Sequence, residues 1–197
     1  MADGATIGAG RGLARLLLVG GLLGLAASAV LTFDKLRMLE NPGYRPSCSI
    51  NPVISCGSVM RTGQAAVFGF PNPLLGLAAF AVLIAAGAGL LAGARYRRWY
   101  WLGLQAGALA GLGFTVWLIT QALYEIGALC PYCMVVWALV GPLAWYLTLH
   151  NMRTGVLPAP RWWPSVAQYH WVAPALWYLG IALLILNRFW YFWQTLL

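Results

Sequence analysis

Charge is scarce in this chain. Of its 197 residues only 8% are Asp, Glu, Lys or Arg, while 61% are hydrophobic, against roughly 25% and about 45–50% in an ordinary soluble domain. That balance excludes a soluble globular domain and is the composition of a membrane protein. Acidic residues are rarer still, four against twelve basic ones, for a net charge of +8. The basic residues sit in short gaps between apolar runs rather than along one helix face, so they are not the footprint of a nucleic-acid binder; they read as topology signals. Histidine is limited to His150 and His170, both expected at a membrane interface away from the cysteines. The chain lacks a Ser/His/Asp grouping, a phosphate-cradling glycine pattern, a His-based metal motif, a haem-attachment motif and a nucleotide fingerprint. Internal repeats and low-complexity segments are missing too. What remains is redox chemistry of sulfur.

A bilayer core about 30 Å thick needs about 20 apolar residues at 1.5 Å rise. Five runs reach or approach that length: Leu16–Phe33, Leu74–Gly93, Trp99–Tyr124, Cys130–Leu149, and Trp171–Asn187, which continues past Arg188 into an aromatic tail. Asn72 is placed to cap the second run, with Pro73 at its first helical position. The predicted fold is an all-α membrane protein, a four-transmembrane-helix bundle core plus a fifth transmembrane helix. Its parts are a cytoplasmic N-terminal segment (1–15), a catalytic core (16–150) with an extracytoplasmic loop (34–72), a cytoplasmic linker (151–170), and the accessory fifth helix with its tail (171–197). Arg11 and Arg15 before an apolar run ending in Ala27-Ser28-Ala29 also follow the grammar of a cleavable signal peptide. Because that run continues to Phe33 and other spans follow, an uncleaved first span is expected. Eleven Trp and nine Tyr suit the interfacial belts of membrane helices.

Five spans put Arg11, Arg15, Arg95, Arg97, Arg98, Arg153 and Arg161 on one side, and Lys35, Arg37, Arg45, Arg61 and Arg188 on the other. The short 94–98 turn carries three Arg and the 125–129 turn none, so the positive-inside rule sets the N-terminus in the cytoplasm. Cys48 and Cys56 lie in the first loop, and Cys130 and Cys133 open the fourth span. Two spans separate the pairs, so both lie on the same side whichever way the chain is inserted. With the N-terminus inside, that side is extracytoplasmic, where disulfides persist.

Cys130-Pro131-Tyr132-Cys133 on the first turn of a helix can close a small reversible disulfide. Pro131 suits the first helical position, and the positive end of the helix favours thiolate over thiol. The competing reading is an inert buried pair. Cys48-x7-Cys56 closes a loop rich in Pro, Gly, Ser and Asn, fit either to meet a soluble partner or merely to staple the loop. Joining all four sulfurs around zinc is disfavoured, because the second pair's spacing is long and the compartment oxidising; no metal is expected. Exchange at a membrane needs a terminal acceptor. A lipid-soluble quinone, menaquinone or ubiquinone, is the natural two-electron partner, docked beside Cys133. Val59, Met60, Phe68, Phe114, Trp117, Met134 and Trp137 are the candidate pocket residues, against the alternative that each simply packs or faces lipid.

Taken in order, Cys48-Ser-Ile-Asn-Pro-Val-Ile-Ser-Cys56, Gly57-Ser58-Val59, Phe68-Gly69 before the second span and Cys-x-x-Cys opening the fourth resemble the vitamin K epoxide reductase family, especially its bacterial members, over about residues 12–150. The DsbB type of quinone-linked disulfide generator carries its Cys-x-x-Cys in the first extracytoplasmic loop instead. The resemblance implies a four-helix bundle around a quinone, with Cys133 next to the ring, Cys130 exchanging with Cys56, and Cys48 meeting the partner protein. The position that in vertebrate members holds a quinone carbonyl through Asn falls at or near Ala65, and a Tyr of the family falls on Trp137; the Trp137 indole N–H or Gln64 can donate instead. Many bacterial members fuse a thioredoxin-like domain after the last span. This chain has no cysteine after Cys133, so a separate secreted or membrane-anchored thioredoxin-fold, DsbA-like partner is expected. The function implied is re-oxidation of that partner by a thiol:quinone oxidoreductase of the cell membrane, in contact with lipid and with no nucleic acid. The alternatives are a quinone-epoxide reductase and a non-enzymatic, disulfide-stapled membrane scaffold.

Overall fold

A computed structural model describes residues 6–194, so the extremes of the expected N-terminal segment and tail, residues 1–5 and 195–197, lie outside the described residues. The order is β1 (Thr6–Ile7), α1 (Arg11–Glu40), α2 (Cys56–Met60), a 3₁₀ turn (Gly63–Ala66), α3 (Pro73–Leu91), β2 (Tyr96–Arg97), α4 (Arg98–Thr120) running into a π-helical stretch (Gln121–Ile126), α5 (Pro131–Arg153), α6 (Trp163–Ala167), α7 (Val172–Arg188) and α8 (Trp190–Trp193). Among the described residues, four helices are long and apolar enough to cross a membrane: α1, α3, α4 with its π stretch, and α5. The protein is an all-α membrane protein. The fifth apolar segment forms α7, which at 17 residues rises only about 26 Å, less than its four companions.

The first helix outruns its apolar run. Nothing breaks it until Asn41-Pro42, so residues 34–40, expected in the loop, are helical, and Asp34 and Lys35 become helix residues. Asn72 sits at the start of α3 but does not cap it. Its amide turns back instead, donating to Gln64 O at 2.7 Å and accepting the Val67 N–H at 3.1 Å, which ties the loop down.

Helix α1 is central, packed against α3 on one side and α5 on another, while α4 packs on α5. The α1–α3 contact is close because glycines line it: a Cβ on Gly87 would come within 2.6 Å of the Leu18 backbone nitrogen and 2.8 Å of Ala14 O. Small residues that let backbones approach are what hold helices together in lipid, where no hydrophobic force does so. Gly87→Val is therefore expected to destabilise the bundle by at least about 1–3 kcal/mol, the cost of overpacking a well-filled contact, seen as a lowered Tm in detergent. A cluster of Leu17, Phe80, Leu90, Trp101, Leu143 and Leu147 fills the bundle toward the end away from the cysteines. At that end β1 pairs antiparallel with β2, and the Trp101 indole donates to Ile7 O at 3.2 Å.

The segment that follows α5 closes on its outer face. Pro142 lies inside α5 and has no N–H, so the carbonyl of Ala138, four residues earlier, loses its helical partner. Tyr178 of α7 supplies one, its hydroxyl donating to Ala138 O at 3.0 Å. The Trp177 indole donates to Trp137 O at 2.9 Å. That ring lies flat on Gly141, where a Cβ would meet three of its atoms at 2.6 Å.

Candidate active site

All four cysteines meet at one end of the bundle, in a cluster with Leu31, Met38, Val59, Met60 and Tyr132. Cys48 and Cys56 are joined by a disulfide; Cys130 and Cys133 are free thiols. The two pairs touch, with Cys130 Sγ 3.3 Å from Cys56 Sγ. Local chain geometry explains the approach. Asn51 Oδ1 accepts the N–H groups of Val53 and Ile54 at 2.9 and 2.7 Å, curling the loop so that Val53–Ser55 lies beside Leu129. There Leu129 donates to Val53 O at 2.6 Å and Ser55 donates to Leu129 O at 2.8 Å, a parallel bridge centred on Ile54 and Leu129. Just beyond that bridge each segment reaches a cysteine, Cys56 on one and Cys130 on the other. Ser55 then caps α2, accepting the Ser58 N–H at 3.2 Å.

Cys130 is the N-cap of α5, its sulfur accepting the Cys133 N–H at 3.5 Å. A sulfur at the positive end of a helix and in contact with a disulfide is set for exchange. Cys48 is the less buried member of its disulfide, yet only 7% exposed against 0% for Cys56, so an outside thiol reaches it only when the loop gives way. Ile50, 72% exposed two residues on, marks the loop surface.

Beneath the sulfurs lies a cavity of about 550 Å³ bounded by α1, α3, α4 and α5, within the range of small-molecule sites. Helices α3 and α4 do not pack closely on each other, and the cavity occupies the gap between them. Gly103, Gly107 and Gly111 follow one face of α4 along its wall, and a Cβ on any of them would meet nothing within 4 Å. Lys35, Gln64, Asn72, Gln121 and the two thiols line its cysteine end. The Gln64 amide lies 3.4 Å from Gln121 Oε1.

The expected pocket residues divide. Val59, Met60, Phe114 and Trp137 line the cavity with Cys130 and Cys133. Phe68 and Trp117 stand outside its wall, packed on Phe114 with ring centroids 5.8 Å apart in each case. Met134 is turned away into a shallow depression with Ala138 and Ile185. Helical period accounts for this: Cys130, Cys133 and Trp137 share one face, and the residue after Cys133 points about 100° round, toward α7. Ala65 and Gln64 both line the cavity.

Two features of the site have no clear mark in the sequence. Lys35 lines the cavity and donates to Met60 O at 2.6 Å; ending the first helix with its apolar run hides that placement. The π stretch sets Gln121, Ala122 and Ile126 on the cavity wall, and π turns recur at functional sites. It ends at Gly127 with φ +67°, and Arg188 of α7 donates to Leu123 O at 2.7 Å. The Gly at 127 is the one local signal for that stop.

Compared with known proteins, residues 15–148 match the model of the Vitamin K epoxide reductase family. No curated protein matches the chain.

Proposed function

The chain belongs to the vitamin K epoxide reductase family, multi-pass membrane oxidoreductases associated with quinones and thioredoxin-like partners, and from that premise we propose that it re-oxidises a secreted or membrane-anchored DsbA-like dithiol protein and passes the electrons to a membrane quinone. The observation that carries this reading is the placement of the Cys130 sulfur 3.3 Å from the disulfide-bonded Cys56, directly over an apolar cavity that Cys130 and Cys133 both line.

The steps balance in sulfur, electrons and protons. A partner thiolate attacks Cys48 and Cys56 leaves; the partner's second thiol releases its own disulfide, and Cys48 and Cys56 are left as a dithiol. Cys56 then attacks Cys130 of an oxidised Cys130–Cys133 pair, expelling Cys133, and Cys48 attacks Cys56 to restore the outer disulfide. The inner dithiol finally gives two electrons and two protons to the quinone, which becomes the quinol as Cys130–Cys133 closes again. Each exchange runs toward the couple of higher reduction potential, about 1.4 kcal/mol per 30 mV for two electrons.

The cavity's chemistry fits such an acceptor: polar groups at the sulfur end suit a carbonyl-bearing head, and the glycine-lined remainder suits an apolar tail entering from lipid between α3 and α4. Gln64, Gln121 and the Trp137 indole N–H are among the donors within that wall. The arginine distribution supports placing the cysteine end outside the cytoplasm. Residues 16–150 would then be the catalytic core and α7 its accessory.

The test is anaerobic titration of the purified full chain, first with a dithiol and then with a soluble quinone, trapping thiols at each stage for mass spectrometry. Stoichiometric quinol formation coupled to closure of Cys130–Cys133 is expected. Two disulfides that resist dithiol, with no quinol formed, would leave only a stapled scaffold.

A further inference from the structure

The sulfurs exchange in a dry place. Cys56 is 0% and Cys130 1% exposed, and each transfer between the pairs takes a proton from one sulfur and delivers one to another. Neither of these two sulfurs has a surface on which bulk solvent could take the proton. Among the described residues, Glu40 and Glu125 are exposed, whereas Asp34 is 5% exposed. Leu31, three residues before it, and Met38, four after, share its face of α1, and both pack into the cluster of the four cysteines. One of its oxygens accepts the Tyr44 hydroxyl at 2.9 Å. The other, Oδ2, is fully buried with no hydrogen-bond partner, a costly state for a carboxylate.

The neighbouring charges are engaged elsewhere. Lys35 donates to Met60 O, and the Arg37 guanidinium lies 4.6 Å over the Phe33 ring. Helix α3, packed along α1, carries no titratable side chain, so α5 with Cys130, Tyr132 and Cys133, and the loop with Tyr44, supply the titratable groups around this face. Asp34 is near enough to Cys130 for their charges to interact.

On the relay described above, we propose that Asp34 is the proton carrier for exchange between the two cysteine pairs. When Cys130–SH attacks Cys56, its proton passes to the Asp34 carboxylate, the Cys48–Cys56 bond breaks, Cys56–Cys130 forms, and Cys48 leaves as a thiolate that takes the proton back from Asp34. The reverse sequence serves the transfer from outer pair to inner. Oδ1 is already taken by Tyr44, so Oδ2 is the working oxygen.

The experiment starts from the fully reduced chain in detergent and adds one equivalent of soluble quinone without oxygen. A first phase, quinol formation with closure of Cys130–Cys133, is read optically. A second, the passage of that disulfide to Cys48–Cys56, is read by rapid quench and thiol trapping. Asp34→Asn is expected to slow the second phase about 100-fold, the lower range of general acid–base contributions, while leaving the first within about 3-fold. The residual second-phase rate should rise with pH, as hydroxide replaces the carboxylate, and Asp34→Glu should recover it to within about 10-fold of the parent. A second phase within about 3-fold of the parent in Asp34→Asn overturns the proposal. So does a Tyr44→Phe variant that reproduces the whole loss, as it would if the carboxylate served only to anchor the loop. Should Asp34→Asn not be recovered folded, Asp34→Ser, which also removes the charge and keeps an acceptor, is read by the same two outcomes. Failure of the first phase in the parent chain would instead count against the relay itself.

Discussion

Cys133→Ala is expected to abolish dithiol-driven quinone reduction, lowering turnover by about 1,000-fold or more, the scale on which an enzyme feels the loss of a reacting nucleophile. The inner pair is the step that faces the cavity, and closing its disulfide is what releases two electrons together. With one sulfur gone, Cys130 still lies in contact with Cys56, so sulfur exchange survives but has no outlet. The measurement is steady-state quinol formation with a soluble quinone and a small dithiol. Full quinone-linked turnover in this variant would remove Cys133 from the chemistry and with it the proposed direction of electron flow.

Cys48→Ala separates the outer pair from the inner. Oxidation of a DsbA-type protein dithiol should fall by about 100-fold or more, since no disulfide remains for it to attack, whereas a small dithiol that reaches the half-buried Cys133 directly should still drive quinol formation. The same variant yields a structural signature. Cys56, without Cys48, is free to attack Cys130, and in the absence of added dithiol only back-attack by Cys133 can undo the product, so a Cys56–Cys130 crosslink should accumulate and be identified by mass spectrometry of protein trapped before dithiol is added. Equal loss with both dithiols, and no such crosslink, would show that the 3.3 Å approach is not the route of transfer.

The membrane class and the shared side of both cysteine pairs are legible from spacing alone, because span parity requires nothing about packing. The contact between the pairs is not. It depends on a bridge between Ile54 and Leu129, residues far apart in the chain whose pairing is set by an Asn51-centred turn and has no periodic signature. Asp34 and Lys35 are hidden for a related reason: the apolar run stops at Phe33, but a helix ends where its backbone is interrupted, at Asn41-Pro42, and a charged residue on a helix end still faces whatever its turn faces. The pocket residues show the limit of reading by position. Trp137 and Phe114 face the cavity and Met134 does not, a distinction that requires the rotation of α5 relative to its neighbours.

The proline in α5 carries a consequence for anyone trimming this chain. The family match ends at residue 148, and a version cut after α5 would look complete by that measure. It would, however, lay the Ala138 carbonyl bare to hydrocarbon, because Pro142 cannot satisfy it and Tyr178 would be gone, and an unmet carbonyl in lipid costs several kcal/mol. A minimal form would need Pro142 replaced by a residue that restores the N–H, with Gly141 refilled where Trp177 had rested. Shortening and repair have to be designed together.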